Sequence, residues 1–164
     1  MAITRLNNNS ITSVTALPSG IPTGKVLQIK HGVTYGVVSM TNNSFVSLVS
    51  VNITPTASNS DIYLFGKIGE PDQIDGRLQA HFRKNGTRLG ANNDIICSEM
   101  GRNLTTGTDR HYSNVIGEYY ETNVGTTSQV TYAIYWASNN AGAGTTTRLG
   151  NGSPHSITAY EIGA

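Results

Sequence analysis

The segment "RLQAHFRKNGTRLG", residues 77–90, is the strongest local signal in the sequence. Its apolar residues Leu78, Ala80 and Phe82 alternate with polar ones, which is the period of a β-strand with one buried face. An Asn-Gly pair follows at 85–86, and this pair favours a type I′ turn because both central residues need a positive φ. The segment therefore predicts a β-hairpin.

The same period recurs on both sides of this hairpin. In "SFVSLVSVNIT", residues 44–54, alternation places Phe45 on the same face as Val49 and Ile53. The centre of "DIYLFGKIG", residues 61–69, is apolar on both faces, which suggests a strand that is covered on both sides. Further strands are expected in KVLQIKHG (25–32), SNVIGEYYET (113–122), SQVTYAIYWAS (128–138), TTTRLG (145–150) and HSITAYEIG (155–163). Eight to ten short strands without a convincing helix are typical of a sandwich or barrel.

The composition supports one all-β domain. The chain has 164 residues, of which only 13% are charged, about half the usual share. Asn, Thr, Ser and Gly together make 69 of the 164 residues, a mixture that disfavours helix and favours strands joined by turns. Residues 1–24 are polar and rich in turn signals, so we predict an N-terminal arm there and a folded domain over 25–164.

Charge and hydropathy argue against two classes of partner. The net charge is +1 and no run of Lys or Arg could follow a phosphate backbone, so we expect no nucleic acid. No apolar stretch approaches the roughly 18 residues that span a bilayer, and the N-terminus lacks the apolar core of a signal peptide. We therefore expect no membrane and an origin in the cytoplasm. Cys97 is the sole cysteine, which excludes an intrachain disulfide.

The sequence offers no recognisable active site. It lacks G-x-S-x-G, P-loop, dinucleotide and H-E-x-x-H motifs, so we expect neither an enzyme nor a cofactor. A depolymerase would need two carboxylates across a cleft, and nothing marks Glu118 and Glu121 as such a pair. The four histidines lack metal-ligand spacing and are expected at the surface. A place near a symmetry axis stays open for one of them. The four are His31, His81, His111 and His155.

The loop "EPDQIDG", residues 70–76, carries Glu70, Asp72 and Asp75. Carboxylate oxygens near a glycine suit calcium, but the loop lacks the alternating ligand order of a calcium-binding loop. We expect an exposed polar loop and no metal, and calcium binding there is left open.

Aromatic residues are concentrated in the last third of the chain. In the strand at 128–138 they occur on both predicted faces, so the second face is expected to be buried against a loop or against another subunit. Interfaces between subunits favour Tyr and disfavour charge, which matches the low charge of this chain. We therefore predict a homo-oligomer, foremost a trimer. The predicted interface residues are Tyr119, Tyr132, Tyr135, Trp136 and Tyr160.

Segments along nearly the whole chain resemble small virion structural proteins of tailed phages, especially marine and cyanobacterial ones. The segments that carry the resemblance are MAITRLNNNSITSVTALPSGIPTGKVLQ (1–28), NITP (52–55), IYLFGKI (62–68), FRKNGTRLG (82–90), VTYAIYWAS (130–138) and SITAYEIGA (156–164). The resemblance implies an antiparallel jelly-roll sandwich of the C1q and tumour-necrosis-factor type that forms tight trimers. It carries over no catalytic residues. It also implies a protein that assembles in the bacterial cytoplasm, becomes part of the virion and is released by lysis.

Two roles in a virion fit this resemblance. The first is a trimeric capsid decoration, or cement, protein that binds the major capsid protein or another virion protein through its arm. The second is a tail-fibre or host-receptor module that binds a host surface glycan. The absence of a preceding shaft favours decoration. The expected anchors of the arm are Arg5, Leu6, Ile11, Val14 and Leu17.

Overall fold

The computed structural model is an all-β structure. It describes residues 25–40, 44–74, 77–90, 97–100, 114–139, 146–150 and 152–163. Within these residues the strands are β1 (Val26–Thr34), β2 (Val38–Met40), β3 (Val46–Ile53), β4 (Asp61–Ile68), β5 (Asp72–Ile74), β6 (Arg77–Lys84), β7 (Thr87–Arg88), β8 (Cys97–Met100), β9 (Val115–Glu121), β10 (Val130–Asn139), β11 (Thr146–Leu149) and β12 (His155–Ile162). No helix of this part of the chain is long and apolar enough to cross a membrane.

The strands form an antiparallel jelly-roll sandwich, as predicted. One sheet has the order β1-β12-β4-β9, and the facing sheet has the order β3-β10-β6-β7 with β8 also paired to β6. All observed pairings are antiparallel, and most neighbours are distant in sequence, as Greek-key connections require. The described residues contain twelve strands rather than eight to ten. The strands that were not predicted are the short β2, β5 and β8, which carry no extended periodic pattern.

Alternate residues of the two sheets fill the core between them. Leu64 of β4, Ile157 of β12 and Ile134 of β10 are fully buried there. The sheets approach so closely that a β-carbon on Gly66 would lie 2.8 Å from side-chain atoms of Ile134 and Phe82. Glycine at position 66 therefore allows the tight contact between the sheets at their centre.

The predicted hairpin is confirmed. Asn85 and Gly86 have φ values of 48° and 82°, as a type I′ turn requires. The Asn85 side chain also accepts a hydrogen bond from the Thr131 amide at 2.9 Å, which ties the turn to the start of β10.

The two ends of the sandwich differ. At one end, here called the terminal end, the Gly163 amide donates to the Lys25 carbonyl at 2.9 Å, so the described chain starts and finishes side by side. The β3–β4 and β9–β10 connections lie at this same end, where the Val124 amide donates to the Ser60 carbonyl. At the other end, β2, β11 and β5 form a small three-stranded sheet that we call the cap. The predicted arm, residues 1–24, lies outside the described residues.

Candidate assembly surface

The outer face of the β1-β12-β4-β9 sheet carries an unusual number of exposed apolar side chains. In β12, residues alternate between fully buried and partly exposed, so Thr158 and Tyr160 point away from the core that holds Ile157 and Ala159. The same alternation in β4 turns Tyr63 and Phe65 outward. We call this outer surface the tyrosine face, and its residues are Val26, Ile29, His31, Val33, Asp61, Tyr63, Phe65, Lys67, Ile116, Glu118, Tyr120, Ser156, Thr158, Tyr160 and Ile162.

Strand register places three tyrosines in one row across this face. Ile29 of β1 lies opposite Tyr160 of β12, Tyr160 lies opposite Tyr63 of β4, and Tyr63 lies opposite Tyr120 of β9. The rings of Tyr63 and Tyr160 are 5.8 Å apart between centroids and tilted by 46°. The row is therefore a continuous aromatic and aliphatic band that crosses all four strands.

The exposure of these side chains is high for their size. Ile29 is 57% exposed, Ile116 is 59% exposed and Tyr120 is 49% exposed. Nine large hydrophobic side chains are exposed in the described part of the chain, and six of them lie on this face. The six are Val26, Ile29, Val33, Phe65, Ile116 and Tyr120. The apolar surface is thus concentrated on one sheet and is not scattered over the domain.

Carboxylates anchor the polar ends of two tyrosines. The hydroxyl of Tyr63 donates to Glu118, and the hydroxyl of Tyr120 donates to Asp61 at 2.5 Å. The Asn123 amide also donates to Asp61, at 2.9 Å. The hydrogen bond from Tyr120 lowers the pKa of Asp61, and the same bond raises the pKa of Tyr120. Both rings are held in fixed positions, which reduces the entropy that a partner would have to remove.

The size of the tyrosine face suits a protein–protein contact. Four strands spaced by about 4.8 Å and about eight residues long cover roughly 500 Å². The exposed apolar side chains occupy part of this area, and apolar patches of a few hundred Å² on monomers are often functional. Its few charged residues carry both signs: Asp61 and Lys67 near opposite ends of β4, and Glu118 on β9.

The structure separates the five residues predicted for a subunit interface. Tyr160 lies on the tyrosine face, whereas Tyr135 lies on the outer face of the opposite sheet. Tyr119 is half-buried and packs against the core. The prediction is wrong for Tyr132 and Trp136, which are 0% and 2% exposed inside the single chain and so are unavailable to a partner.

Sequence reasoning missed the most exposed members of this face. The strands that carry them are predicted, but the sequence pattern does not show that their outward positions are exposed. These positions are Ile29 in β1 and Ile116 and Tyr120 in β9. The one usable signal was the double-sided apolar centre of "DIYLFGKIG", which contains Tyr63 and Phe65. That pattern predicts a strand covered on both sides. In the single chain the facing sheet covers Ile62 and Leu64, whereas Phe65 on the other face is exposed, so the covering of that outer face stays a prediction.

Two histidines expected at the surface are buried. His155 is fully buried, and its Nδ1 accepts a hydrogen bond from the Gly69 amide at 3.1 Å. His81 points outward from β6, yet Phe45, Tyr135 and Arg83 cover it and leave it 1% exposed. Their burial follows from neighbours distant in sequence, which the local pattern could not indicate.

The other candidate residues are dispersed. Glu118 points outward from β9, while Glu121 points inward to Lys84 and Tyr132, so they do not face one another. Glu70 accepts a hydrogen bond from the Ser153 hydroxyl at 3.0 Å. Asp75, His111 and the five arm anchors lie outside the described residues, and within the described part no group of three potential metal ligands occurs.

A buried carboxylate fixes the terminal end. Glu161 is fully buried and accepts hydrogen bonds from the amide and hydroxyl of Thr56, each at 2.7 Å, and from Gln28 Nε2 at 2.6 Å. Burial alone would raise the pKa of Glu161, but these hydrogen bonds outweigh it and lower the pKa. The carboxylate therefore links β1, β12 and the β3–β4 connection at the point where the described chain begins.

Comparisons with known proteins identify no family for this chain, and the structural similarities that they give are weak. No family model matches the chain, and no curated protein matches it significantly. The VP2 subviral particle of infectious bursal disease virus aligns with 85% of this chain at 15% identity and a TM-score of 0.45, and the Gt strain of that virus aligns at 15% identity and a TM-score of 0.46. This chain spans 38% of the viral chain's length in each case. The C-terminal domain of EclA, described as a sugar-binding protein, aligns over 94% of this chain and 99% of its own length at 14% identity and a TM-score of 0.37. Similarity at this level does not establish a shared function.

Proposed function

We propose that this protein is a virion structural protein that acts as a trimer of jelly-roll domains, joined through the tyrosine face and attached to the phage head by the N-terminal arms. The observation that carries the proposal is the row Ile29, Tyr160, Tyr63 and Tyr120, which leaves an apolar band exposed on a single chain. The phage context rests on the resemblance of the sequence segments to small virion proteins.

Burial of the tyrosine face supplies the driving force for assembly. At about 25 cal/mol per Å², each 100 Å² of apolar surface buried on this face corresponds to about 2.5 kcal/mol before the cost of association is subtracted. That cost is about 4–15 kcal/mol, so a stable oligomer needs this face together with polar contacts around it. A second copy is the partner best supported, because the face is rich in Tyr, low in charge and mixed in sign.

The position of the arm suits attachment. Residue Lys25 lies at the terminal end, whereas the cap occupies the opposite end of the sandwich. In a cyclic trimer whose axis follows the sandwich, three arms would leave toward one side and three caps would face the other. Three weak arm contacts on one rigid trimer would bind tightly, because tethering raises the effective concentration of the second and third arm.

Charge placed on the tyrosine face tests the assembly. Ile29→Lys combined with Ile116→Lys adds two positive charges at exposed positions, so the domain should fold while the oligomer dissociates to a monomer. Light scattering and sedimentation velocity measure the mass, and thermal unfolding checks the fold. Tyr35→Lys is the matched control, because Tyr35 is 76% exposed but follows β1 and lies outside the tyrosine face. A double variant that keeps the mass of the natural chain would refute this interface.

Arm variants test the attachment separately. Ile11→Ser, Val14→Ser and Leu17→Ser in one full-length chain should preserve the trimer and abolish co-sedimentation with undecorated capsids. If the natural chain does not bind capsids but adheres to host cells, the protein is the alternative, a tail-fibre or host-receptor module. An unchanged capsid affinity of the triple variant would exclude these three arm residues as anchors.

A further inference from the structure

A second cluster lies on the outer face of the other sheet, away from the tyrosine face. It consists of Phe45, His81, Arg83 and Tyr135, which we call the arginine cluster. The carbon centre of the Arg83 guanidinium lies 4.1 Å from the centroid of the Tyr135 ring and 5.9 Å from that of Phe45. The ring of His81 lies beneath, 4.3 Å from the Phe45 ring. The cation is thus positioned against the ring of Tyr135 on β10 and near the ring of Phe45, which directly precedes β3.

Hydrogen bonds fix the orientation of the guanidinium. Arg83 Nε donates to His81 Nε2 at 2.9 Å, and Arg83 Nη1 donates to the Gly86 carbonyl at 3.3 Å. A guanidinium has five N–H donors, and the residues described by the structure accept hydrogen bonds from two of those of Arg83. Within the described residues no carboxylate contacts Arg83. The side chain therefore presents a rigid, positively charged fork of N–H donors, and a planar oxyanion can accept two parallel hydrogen bonds from it.

Aromatic rings beside this fork define the rest of the ligand. Phe45 and Tyr135 are both partly exposed, so apolar surface lies directly next to the charged donors. A free inorganic anion would use only the guanidinium. A sugar ring that bears a carboxylate would use both, because its C–H surface can lie on an aromatic ring while the carboxylate pairs with Arg83.

We infer that the arginine cluster binds an acidic sugar, with its carboxylate on the guanidinium of Arg83 and its ring against Phe45. The site goes beyond the proposed assembly role and does not depend on it, since the tyrosine face and the arginine cluster lie on opposite sheets. In a trimer closed through the tyrosine face, the arginine cluster would remain on the outside and be presented three times.

Titration of the full-length protein with tetragalacturonate tests the site, with calorimetry for affinity and the NMR resonance of the Arg83 Nε–H as the local readout. The fully methyl-esterified tetramer is the matched neutral ligand. We expect the acid form to bind and to shift this resonance, and the ester to bind at least about tenfold more weakly, as expected when one charge-assisted contact is lost. Arg83→Gln should weaken binding by a similar factor, and so should Arg83→Lys, because an ammonium lacks the planar fork.

Arg148→Gln is the control, because it removes the same charge from β11 in the cap and should leave affinity unchanged. Equal affinity of Arg83→Gln and the natural chain would overturn the proposal, as would the absence of detectable binding at ligand concentrations up to about 10 mM. If acetate or inorganic phosphate shifts the Arg83 resonance at the same anion concentration as the tetramer, the sugar ring contributes nothing and the assignment to an acidic sugar is wrong. The mass of Arg83→Gln should equal that of the natural chain, so a failure here is distinct from a failure of the assembly proposal.

Discussion

Acid should destabilise this domain through His81, and the effect can be isolated. Burial, together with the nearby guanidinium groups of Arg88 and Arg83, lowers the pKa of His81 from 6.5 to about 4. A pKa difference of this size corresponds to about 3 kcal/mol between the folded and unfolded states. The unfolded chain binds a proton on this residue below pH 6.5 and the folded chain does not, so the stability is fully present above pH 6.5 and is lost as the pH falls toward 4.

Measurements between pH 7.5 and 4.5 separate this effect from that of the carboxylates. By pH 4.5 the loss from His81 should reach about 2.5 kcal/mol. Asp61 and Glu161 have pKa values lowered below 3.8 and 4.5, so their contributions disappear mainly at lower pH. Burial also lowers the pKa of His155, so this residue adds a loss of stability in the same direction. That loss is the same in the natural chain and in both variants.

The assay is urea unfolding at fixed protein concentration for the natural chain, His81→Gln and His31→Gln. His81→Gln cannot be protonated, so it should lose about 2.5 kcal/mol less than the natural chain between pH 7.5 and 4.5. His31 is exposed and hydrogen-bonded to Thr158, so His31→Gln is the matched control and should follow the natural chain. Identical pH dependence of His81→Gln and the natural chain would refute the reasoning.

Three further changes test the core and the terminal end. Trp136→Ala removes a side chain that is 2% exposed and should lower the free energy of unfolding by about 3–5 kcal/mol, seen as a fall in Tm of about 10 °C by calorimetry. An unchanged Tm together with a smaller oligomer would instead show that Trp136 lies in a subunit interface. Glu161→Gln places an amide NH₂ among the donors of Thr56 and Gln28 and should cost about 2–4 kcal/mol in urea unfolding, whereas full stability would show that the carboxylate network is dispensable. Gly32→Ala places a β-carbon 2.0 Å from the Ser50 carbonyl oxygen, so it should lower the free energy of unfolding by about 3 kcal/mol. A soluble variant with the stability of the natural chain would contradict the close approach of β1 and β3.

The hairpin and the strand faces were predictable because they depend on local chemistry. An Asn-Gly pair between two strands favours positive φ, as Asn85 and Gly86 show, and the alternation in 77–84 indicates one apolar face. The same rule put Ile134 and Trp136 on one side of β10 and Tyr135 on the other, as observed. Alternation states which residues share a face, but it does not state what covers that face. The sequence therefore assigned Trp136 to a partner although the second sheet of the same chain buries it.

Long-range register decided the two candidate surfaces. A β-bulge at Leu48 buries both Leu48 and Val49, so Phe45 moves from its predicted place with Val49 to the opposite face, where it meets His81. A single inserted residue leaves no trace in the local pattern, since its partner strand lies about eighty residues away.

The row of tyrosines has the same origin. Tyr63, Tyr120 and Tyr160 come from strands that are far apart in sequence, and only the pairing of β4 with both β9 and β12 places them side by side. By itself the sequence determined an all-β chain, its main strands and the residues that alternate along them, because those properties depend on neighbours within a few positions. The tertiary structure alone decided which strands became neighbours, and with them the tyrosine face and the arginine cluster, because strand pairing depends on the burial of the whole core.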